Sequence, residues 1–175
     1  LAKHSGNYGL FLRTRGASQA INDEVYITRS FGMERSAKME MSCKFNVPTI
    51  TNGVYVQFAF RLPNLTGSYD TQIGVRIDTL TRKVYALRTN AVWEEVGTLP
   101  VISGTQWLTL ILGYNRVTNK YYKLTVAEDE FDASAVTVYT TADLLAPKLY
   151  NIRLITQSAA TKWLYVDDII IRAIS

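Results

Sequence analysis

Cysteine and histidine are almost absent from this chain of 175 residues, which contains one of each. The single cysteine, Cys43, excludes an intrachain disulfide and a metal site built from several cysteines. The single histidine, His4, lies among the first few residues. A serine or cysteine nucleophile elsewhere would therefore have no histidine base, and we expect no hydrolase of the catalytic-triad type.

Long apolar runs are missing as well. No stretch approaches the roughly 20 apolar residues of a membrane-spanning helix, so we expect no membrane partner. No signal peptide is recognisable, and the chain begins at Leu1 instead of Met. We interpret this as a processed chain or an excised domain.

Concentrated charge is also absent. The formal net charge of +4 comes from 19 Lys and Arg against 15 Asp and Glu, and the basic residues are scattered singly. Arg13 with Arg15, and Arg35 with Lys38, come nearest to clusters. A mixed, solvated surface explains this pattern better than a nucleic-acid interface, so we expect no nucleic-acid partner.

Apolar and polar residues alternate in many parts of the sequence. This period of two residues is typical of a β-strand with one buried face. The alternation is strictest in Ala37–Val47 and Val54–Leu62. Between them, Pro48–Gly53 has turn composition, and its Asn52-Gly53 pair can adopt positive φ. We predict that the two segments form a long antiparallel hairpin on which the other strands stack.

Shorter segments of strand composition follow at close spacing, with almost no helical periodicity. The predicted strands are Tyr8–Thr14, Glu24–Phe31, Gln72–Asp78, Lys83–Arg88, Ala91–Val96, Trp107–Tyr114, Tyr121–Ala127, Ala135–Thr140, Leu149–Thr156 and Trp163–Ile174, with one helical turn in Thr141–Pro147. Such a pattern predicts an all-β fold, a two-sheet antiparallel β-sandwich, in one domain covering residues 1–175.

The apolar positions of these strands predict the core. The residues expected to be buried include Met39, Met41, Phe45, Val56, Phe58, Phe60, Val75, Leu108, Leu110, Leu124 and Ile152. Cys43 lies on the same apolar face as Met41 and Phe45, where a buried and unreactive thiol is expected.

Several stretches occur in an order that resembles the concanavalin A-like lectin/glucanase superfamily. They are the opening Gly6–Leu10, the strand Gly104–Leu110 running into Tyr114-Asn115, and the closing Trp163–Ile169. The resemblance covers nearly the whole chain and implies a laminin G-like jelly roll with one concave and one convex sheet. A shared fold does not determine function.

Asp167 and Asp168 interrupt the apolar strand Trp163–Ile174. A carboxylate on a buried strand is costly unless it is paired, hydrogen-bonded or bound to a metal. The resemblance implies a structural calcium ion here, held together with backbone carbonyls of the N-terminal region, since calcium prefers oxygen ligands. The alternative is that one aspartate faces solvent while the other accepts backbone N–H bonds at a bulge.

Paired carboxylates for glycoside hydrolysis are not evident. Glucanases of the superfamily carry Glu-x-Asp-x-x-Glu along one strand, and this motif is absent. The acidic segment Glu128–Asp132 has loop composition, and Glu94 and Glu95 would point to opposite faces of a strand. We therefore expect that the protein is not an enzyme.

The outward face of the predicted hairpin and its neighbours suits a sugar, because aromatic rings stack on pyranose C–H surfaces while polar groups bind hydroxyls. The expected ligand-binding residues are Tyr55, Gln57, Arg61, Arg76, Asp78, Tyr85 and Trp93. The wet face of any tyrosine-rich sheet has a similar composition, which is the competing interpretation.

These observations lead to an ordered set of hypotheses. The first is a non-catalytic, lectin-like module that binds oligosaccharide or polysaccharide on its concave sheet and is extracellular or surface-exposed, with either a structural calcium ion or no cofactor. The second is a structural or assembly domain of a virion, fibre or cell-surface protein that packs against neighbouring subunits. A glycan-active hydrolase or lyase is the third.

Overall fold

A computed structural model describes residues 9–14, 24–30, 36–48, 53–63, 70–89, 92–141, 149–158 and 161–174. These residues contain thirteen β-strands and no α-helix. The strands are β1 (Leu10–Arg13), β2 (Glu24–Ser30), β3 (Lys38–Asn46), β4 (Val54–Pro63), β5 (Asp70–Asp78), β6 (Lys83–Arg88), β7 (Val92–Thr98), β8 (Leu108–Asn115), β9 (Lys120–Val126), β10 (Asp129–Glu130), β11 (Tyr139–Thr141), β12 (Leu149–Thr156) and β13 (Trp163–Ile174). Within the described ranges, no helix has the length and apolarity needed to cross a membrane.

The strands form two antiparallel sheets. One has six strands in the order β1-β13-β3-β8-β9-β10. The other has seven, in the order β2-β12-β4-β5-β6-β7, with β11 paired to the start of β5. Their apolar faces pack on each other, which confirms the predicted all-β jelly-roll sandwich.

The predicted hairpin between Ala37–Val47 and Val54–Leu62 is wrong. The first segment, as β3, pairs with β13 and β8 in the six-stranded sheet. The second, as β4, pairs with β12 and β5 in the seven-stranded sheet. Alternation identifies the apolar face of a strand but not its hydrogen-bonding partner. The seven residues between β3 and β4 are enough to cross the ~10 Å between stacked sheets.

The hydrophobic core lies between the sheets, and every residue predicted above to be buried is buried. The apolar faces of β3 and β4 meet there, with the ring centroids of Phe45 and Phe58 5.1 Å apart. Cys43 is also buried, and this burial raises the pKa of its thiol. A thiol that is hard to ionise is a poor nucleophile, in agreement with the unreactive cysteine expected.

Most predicted strands occur, but the region after β9 differs from expectation. Asp129–Glu130, expected in a loop, pairs with β9. The strand predicted over Ala135–Thr140 is confined to Tyr139–Thr141. Val136 and Val138 are buried outside this strand, so their alternation comes from an irregular segment that packs on the core. The helical turn predicted in Thr141–Pro147 lies almost entirely outside the described residues.

Replacing a central core aromatic tests this packing. We expect Phe58→Ala to lower the free energy of unfolding by about 3–5 kcal/mol, because it removes a fully buried ring and leaves a cavity. Urea unfolding monitored by circular dichroism measures the change. Val101→Ala is the control, since Val101 is 84% exposed, and it should change stability by less than about 0.5 kcal/mol. Equal midpoints for the two variants would contradict the described core.

Candidate functional site

The outer face of the seven-stranded sheet carries a row of large polar and aromatic side chains. Side chains on one face of a sheet line up across strands that are in register. Paired positions across β2, β12, β4, β5 and β6 give the row Tyr26, Arg153, Gln57, Arg76 and Tyr85. The row runs across five neighbouring strands of the sheet.

Beside this row the surface of the sheet is recessed, because two neighbouring positions have a small side chain or none. Ala59 of β4 pairs with Gly74 of β5. A Cβ added to Gly74 would lie 3.3 Å from Ala59 Cβ and 3.3 Å from Trp93 Cη2. The absence of a side chain at Gly74 therefore allows the Trp93 ring to lie against the sheet.

Two adjoining cavities lie on this face, and we call the two cavities together the outer groove. The smaller, of about 310 Å³, reaches Tyr26 and Arg61. The larger, of about 510 Å³, reaches Tyr55, Gln57, Arg76 and Trp93. They share the residues Glu24, Ala59, Gln72, Asn151 and Arg153. Because of these shared walls, the two cavities form one continuous depression.

Arg76 is held at the larger cavity by three side chains. Its guanidinium lies 4.4 Å from the centroid of the Trp93 ring and 5.1 Å from that of Tyr55. The Gln57 amide is assigned with its oxygen toward Arg76, where it accepts hydrogen bonds from Nη2 at 2.8 Å and Nε at 2.9 Å. Burial lowers the pKa of Arg76, and the nearby Arg153 lowers it further.

The other two arginines of the outer groove have carboxylate neighbours. Arg153 donates from Nε to Asn151 Oδ1 at 2.9 Å, and its Nη1 is 3.4 Å from Glu24 Oε2. Arg61 Nη2 lies 3.3 Å from Oδ2 of the buried Asp70. These pairs orient both guanidinium groups and offset their charge.

A tyrosine of the opposite sheet supports the groove from beneath. The hydroxyl of Tyr121 on β9 accepts a hydrogen bond from Gly74 N–H at 3.1 Å and donates to Leu87 C=O at 2.8 Å. Both partners lie where β5 and β6 stop pairing, since the register of those strands covers only Val75–Ile77 on β5. The hydroxyl thus occupies a gap in the sheet directly under the groove floor.

The structure brings together most of the residues expected to bind a ligand. Tyr55, Gln57, Arg76 and Trp93 line one cavity and Arg61 lines the next. Tyr85 pairs with Arg76 at the margin of the groove. Asp78 is different: it is buried, and its Oδ1 accepts hydrogen bonds from the N–H groups of Leu80 and Thr81, so it stabilises the turn after β5.

Sequence reasoning missed the half of the groove formed by β2 and β12. Glu24, Tyr26, Asn151 and Arg153 lie there. The strand Leu149–Thr156 was predicted, and its alternation places Asn151 and Arg153 opposite Ile152. Its position between β2 and β4 was not predicted, because strand order at long sequence separation leaves no local pattern.

The two consecutive aspartates of β13 form a bulge. The pairing of β13 with β3 shifts between Asp167 and Ile170, and Asp168 has a left-handed φ of 52°. The Asp168 N–H donates to Oδ1 of the buried Asp167 at 2.9 Å. This arrangement matches the hydrogen-bonded alternative. Among the residues described, no three His, Cys, Asp or Glu side chains are grouped to hold a metal. Calcium at Asp167 or Asp168 stays a prediction.

Comparison of the sequence with protein-family models gives no match, and comparison with curated proteins gives none either. Solved structures do share the fold. An alginate lyase in complex with an alginate trisaccharide has a TM-score of 0.54 at 11% identity, covering 95% of this chain and 82% of the lyase chain. The metal-free carbohydrate recognition domain of Emp46p has a TM-score of 0.53 at 9% identity, covering 91% and 88%.

A third similar structure was described with endo-acting O-glycanases of the human gut microbiota that initiate mucin breakdown. Its TM-score is 0.60 at 9% identity, covering 95% of this chain and 80% of the other. These likenesses confirm the concanavalin A-like jelly-roll fold. At such low identities they show the fold alone.

The comparisons contradict the expectation that the protein is not an enzyme. The proteins that share the fold include a lyase and an endo-acting glycanase as well as a carbohydrate recognition domain. The expectation was based on the missing Glu-x-Asp-x-x-Glu motif and on the single histidine. Those absences exclude particular mechanisms of hydrolysis, but they do not exclude catalysis on this fold.

Removing the Tyr121 hydroxyl tests the support under the groove. We expect Tyr121→Phe to lower the free energy of unfolding by about 1–3 kcal/mol, because Gly74 N–H and Leu87 C=O lose a buried partner. Urea unfolding measures the loss. The control is Tyr165→Phe: the Tyr165 ring stacks on Phe11, and its hydroxyl has no hydrogen-bond partner among the described residues. An equal loss in both variants would contradict the supporting role.

The calcium prediction is tested by thermal unfolding with and without EDTA. If Asp167 coordinates calcium, EDTA lowers the Tm of the unaltered protein and added calcium restores it. Asp167→Asn should then show no response, since an amide keeps the Oδ1 acceptor but loses the charge that a hard cation needs. A Tm that EDTA does not change, together with no metal by elemental analysis, would leave only the hydrogen-bonding role.

Proposed function

We propose that the outer groove binds a carbohydrate chain. The observation that carries the proposal is that Tyr55 and Trp93 lie in one depression with the polar side chains of Gln57, Gln72 and Asn151. Known proteins of this fold include a carbohydrate recognition domain and glycan-active enzymes, which supports a relation to carbohydrates in general.

The side chains of the groove suit the two surfaces of a sugar. Pyranose rings present C–H faces that pack on aromatic rings, and Trp93 and Tyr26 offer such rings at opposite ends. Hydroxyl groups require donors and acceptors between the rings. Asn151, Gln72 and Glu24 lie there and supply both kinds of group.

The dimensions of the outer groove suit an oligosaccharide better than a single sugar. Each cavity falls in the range of about 300–1,000 Å³ that is usual for small-molecule sites. The sheet crosses five inter-strand spacings from β2 to β7, or about 24 Å at roughly 4.8 Å each. We infer that the bound oligosaccharide lies across the strands, along the row from Tyr26 to Tyr85. A protein that meets such chains would work outside the cell or at a surface.

Replacing Trp93 tests the proposed site. A glycan array, run with and without calcium, first identifies a ligand, and calorimetry then measures its Kd. We expect Trp93→Ala to weaken binding about tenfold, because it removes an aromatic contact worth about 0.5–1.5 kcal/mol together with the apolar area that the ring buries. The Tm should change little, since Trp93 is partly exposed on an outer face.

The matched control is Phe11→Ala, which removes a partly exposed aromatic ring from the six-stranded sheet. Its Kd should equal that of the unaltered protein. Chromatography of the same mixtures after incubation shows whether the bound chain is also cut. No binding to any glycan would contradict the proposal and favour the assembly-domain alternative. Equal weakening by both variants would show that the glycan does not bind specifically in the outer groove.

A further inference from the structure

We propose that the outer groove selects an anionic glycan, with Arg76 binding a carboxylate or sulfate group of the sugar chain. This inference rests on the proposed carbohydrate binding and adds the chemical class of the ligand. It starts from the balance of charge in the groove.

The three arginines of the groove differ in their neighbours. Arg61 lies beside Asp70, and Arg153 lies beside Glu24. Arg76 has no carboxylate within 4.0 Å anywhere in the described part of the chain. Among the described residues, one positive charge in the groove is therefore not offset by a carboxylate.

The surroundings of Arg76 make the lack of a carboxylate partner energetically costly. The side chain is partly buried, and removing a charge from water is costly unless other groups compensate. Two ring faces and the Gln57 oxygen compensate in part. Arginine remains charged at neutral pH even when burial lowers its pKa, so the site holds a permanent cation. A ligand anion would supply the remaining compensation.

The orientation of the guanidinium leaves one edge available. Gln57 occupies Nε and one N–H of Nη2. The other N–H of Nη2 and the adjacent N–H of Nη1 point along a parallel direction, and no described residue accepts from them. Two parallel N–H groups match two oxygens of a carboxylate or a sulfate, the bidentate geometry for which arginine is suited. Neutral sugar hydroxyls offer no such pair of charged acceptors.

The rings beside Arg76 place the proposed anion site next to a surface on which a sugar can pack. Trp93 and Tyr55 both contact the guanidinium and line the same cavity. A sugar packed on these rings would carry an acidic substituent within reach of Arg76. Arg153 lies on the other side of Gln57 in the row, but Glu24 offsets its charge, so Arg76 is the arginine that would bind the acidic group. Uronic acid residues and sulfate esters both provide the required group.

Matched polymers test the inference. Polygalacturonate is compared with its carboxyl-reduced form, and a sulfated galactan with its desulfated form, so that each pair differs only in the acidic group. Calorimetry or affinity electrophoresis gives the Kd values. We expect at least one anionic polymer to bind ten times more tightly than its neutral counterpart or better. The pair that shows this difference identifies the group as carboxylate or sulfate.

Three variants separate a specific site from general attraction. Arg76→Gln should weaken binding of the preferred anionic polymer at least tenfold and bring its Kd close to that of the neutral counterpart. Arg76→Lys keeps the charge without the fork and should retain part of the preference. Arg88→Gln changes the net charge by the same amount on an exposed residue paired with Glu94, outside the outer groove, and should leave the preference unchanged. Thermal unfolding confirms that each variant is folded.

The outcomes distinguish this inference from the proposed function. Equal Kd values within both pairs, with binding still weakened by Trp93→Ala, would overturn the anionic preference and leave carbohydrate binding intact. Binding to no glycan of any kind would overturn both. An equal loss in Arg88→Gln and Arg76→Gln would attribute the preference to net charge and would also overturn the role of Arg76.

Discussion

Burial of one face of each sheet against the other is the interaction on which the remaining structure depends. Phe45 and Phe58 contact each other across the core and bring β3 and β4 together from opposite sheets. Side chains alternate along a strand, so burying Phe58 necessarily turns Gln57 and Ala59 outward. The same holds for Arg76 beside the buried Val75 on β5. The side chains of the outer groove are therefore placed by hydrophobic burial, and their contacts with one another refine an arrangement already decided by the core.

The core and the groove are also joined by a polar contact. β5 pairs with β6 only over Val75–Ile77, and β11 pairs only with the start of β5, Asp70–Gln72. In the gap between, the hydroxyl of the buried Tyr121 bonds the backbone of Gly74 and Leu87. An unpaired backbone group there would cost about as much as a lost hydrogen bond. A side chain from one sheet thus completes the backbone bonding of the other, at the position where Gly74 lets Trp93 approach the sheet closely.

The fold and the groove carry different information about function. A carbohydrate recognition domain and glycan-active enzymes share this fold, so the fold by itself does not determine what this protein does. The function depends on the side chains that the surface of the fold presents. In the outer groove these include an arginine held between two rings, with the neighbouring arginines balanced by carboxylates. The expectation of a non-enzyme failed because it was argued from missing motifs, and a missing motif excludes only the mechanism that requires it.

Local pattern in the sequence determined most of the strands and which face of each of them is buried. The bounds of Lys83–Arg88 and Leu149–Thr156, and the burial of Phe58 and Val75, follow from alternation, because burial acts on each strand separately. The bounds of Trp163–Ile174 follow from its apolar composition. Only the tertiary structure decided which strands are neighbours. It separated β3 from β4, placed β12 between β2 and β4, and so brought Arg153 beside Gln57 and Arg76. Backbone hydrogen bonds are alike for every sequence, so strand order comes from the packing of the whole chain. The composition of the groove could therefore be predicted only in the half contributed by strands that follow one another in the sequence.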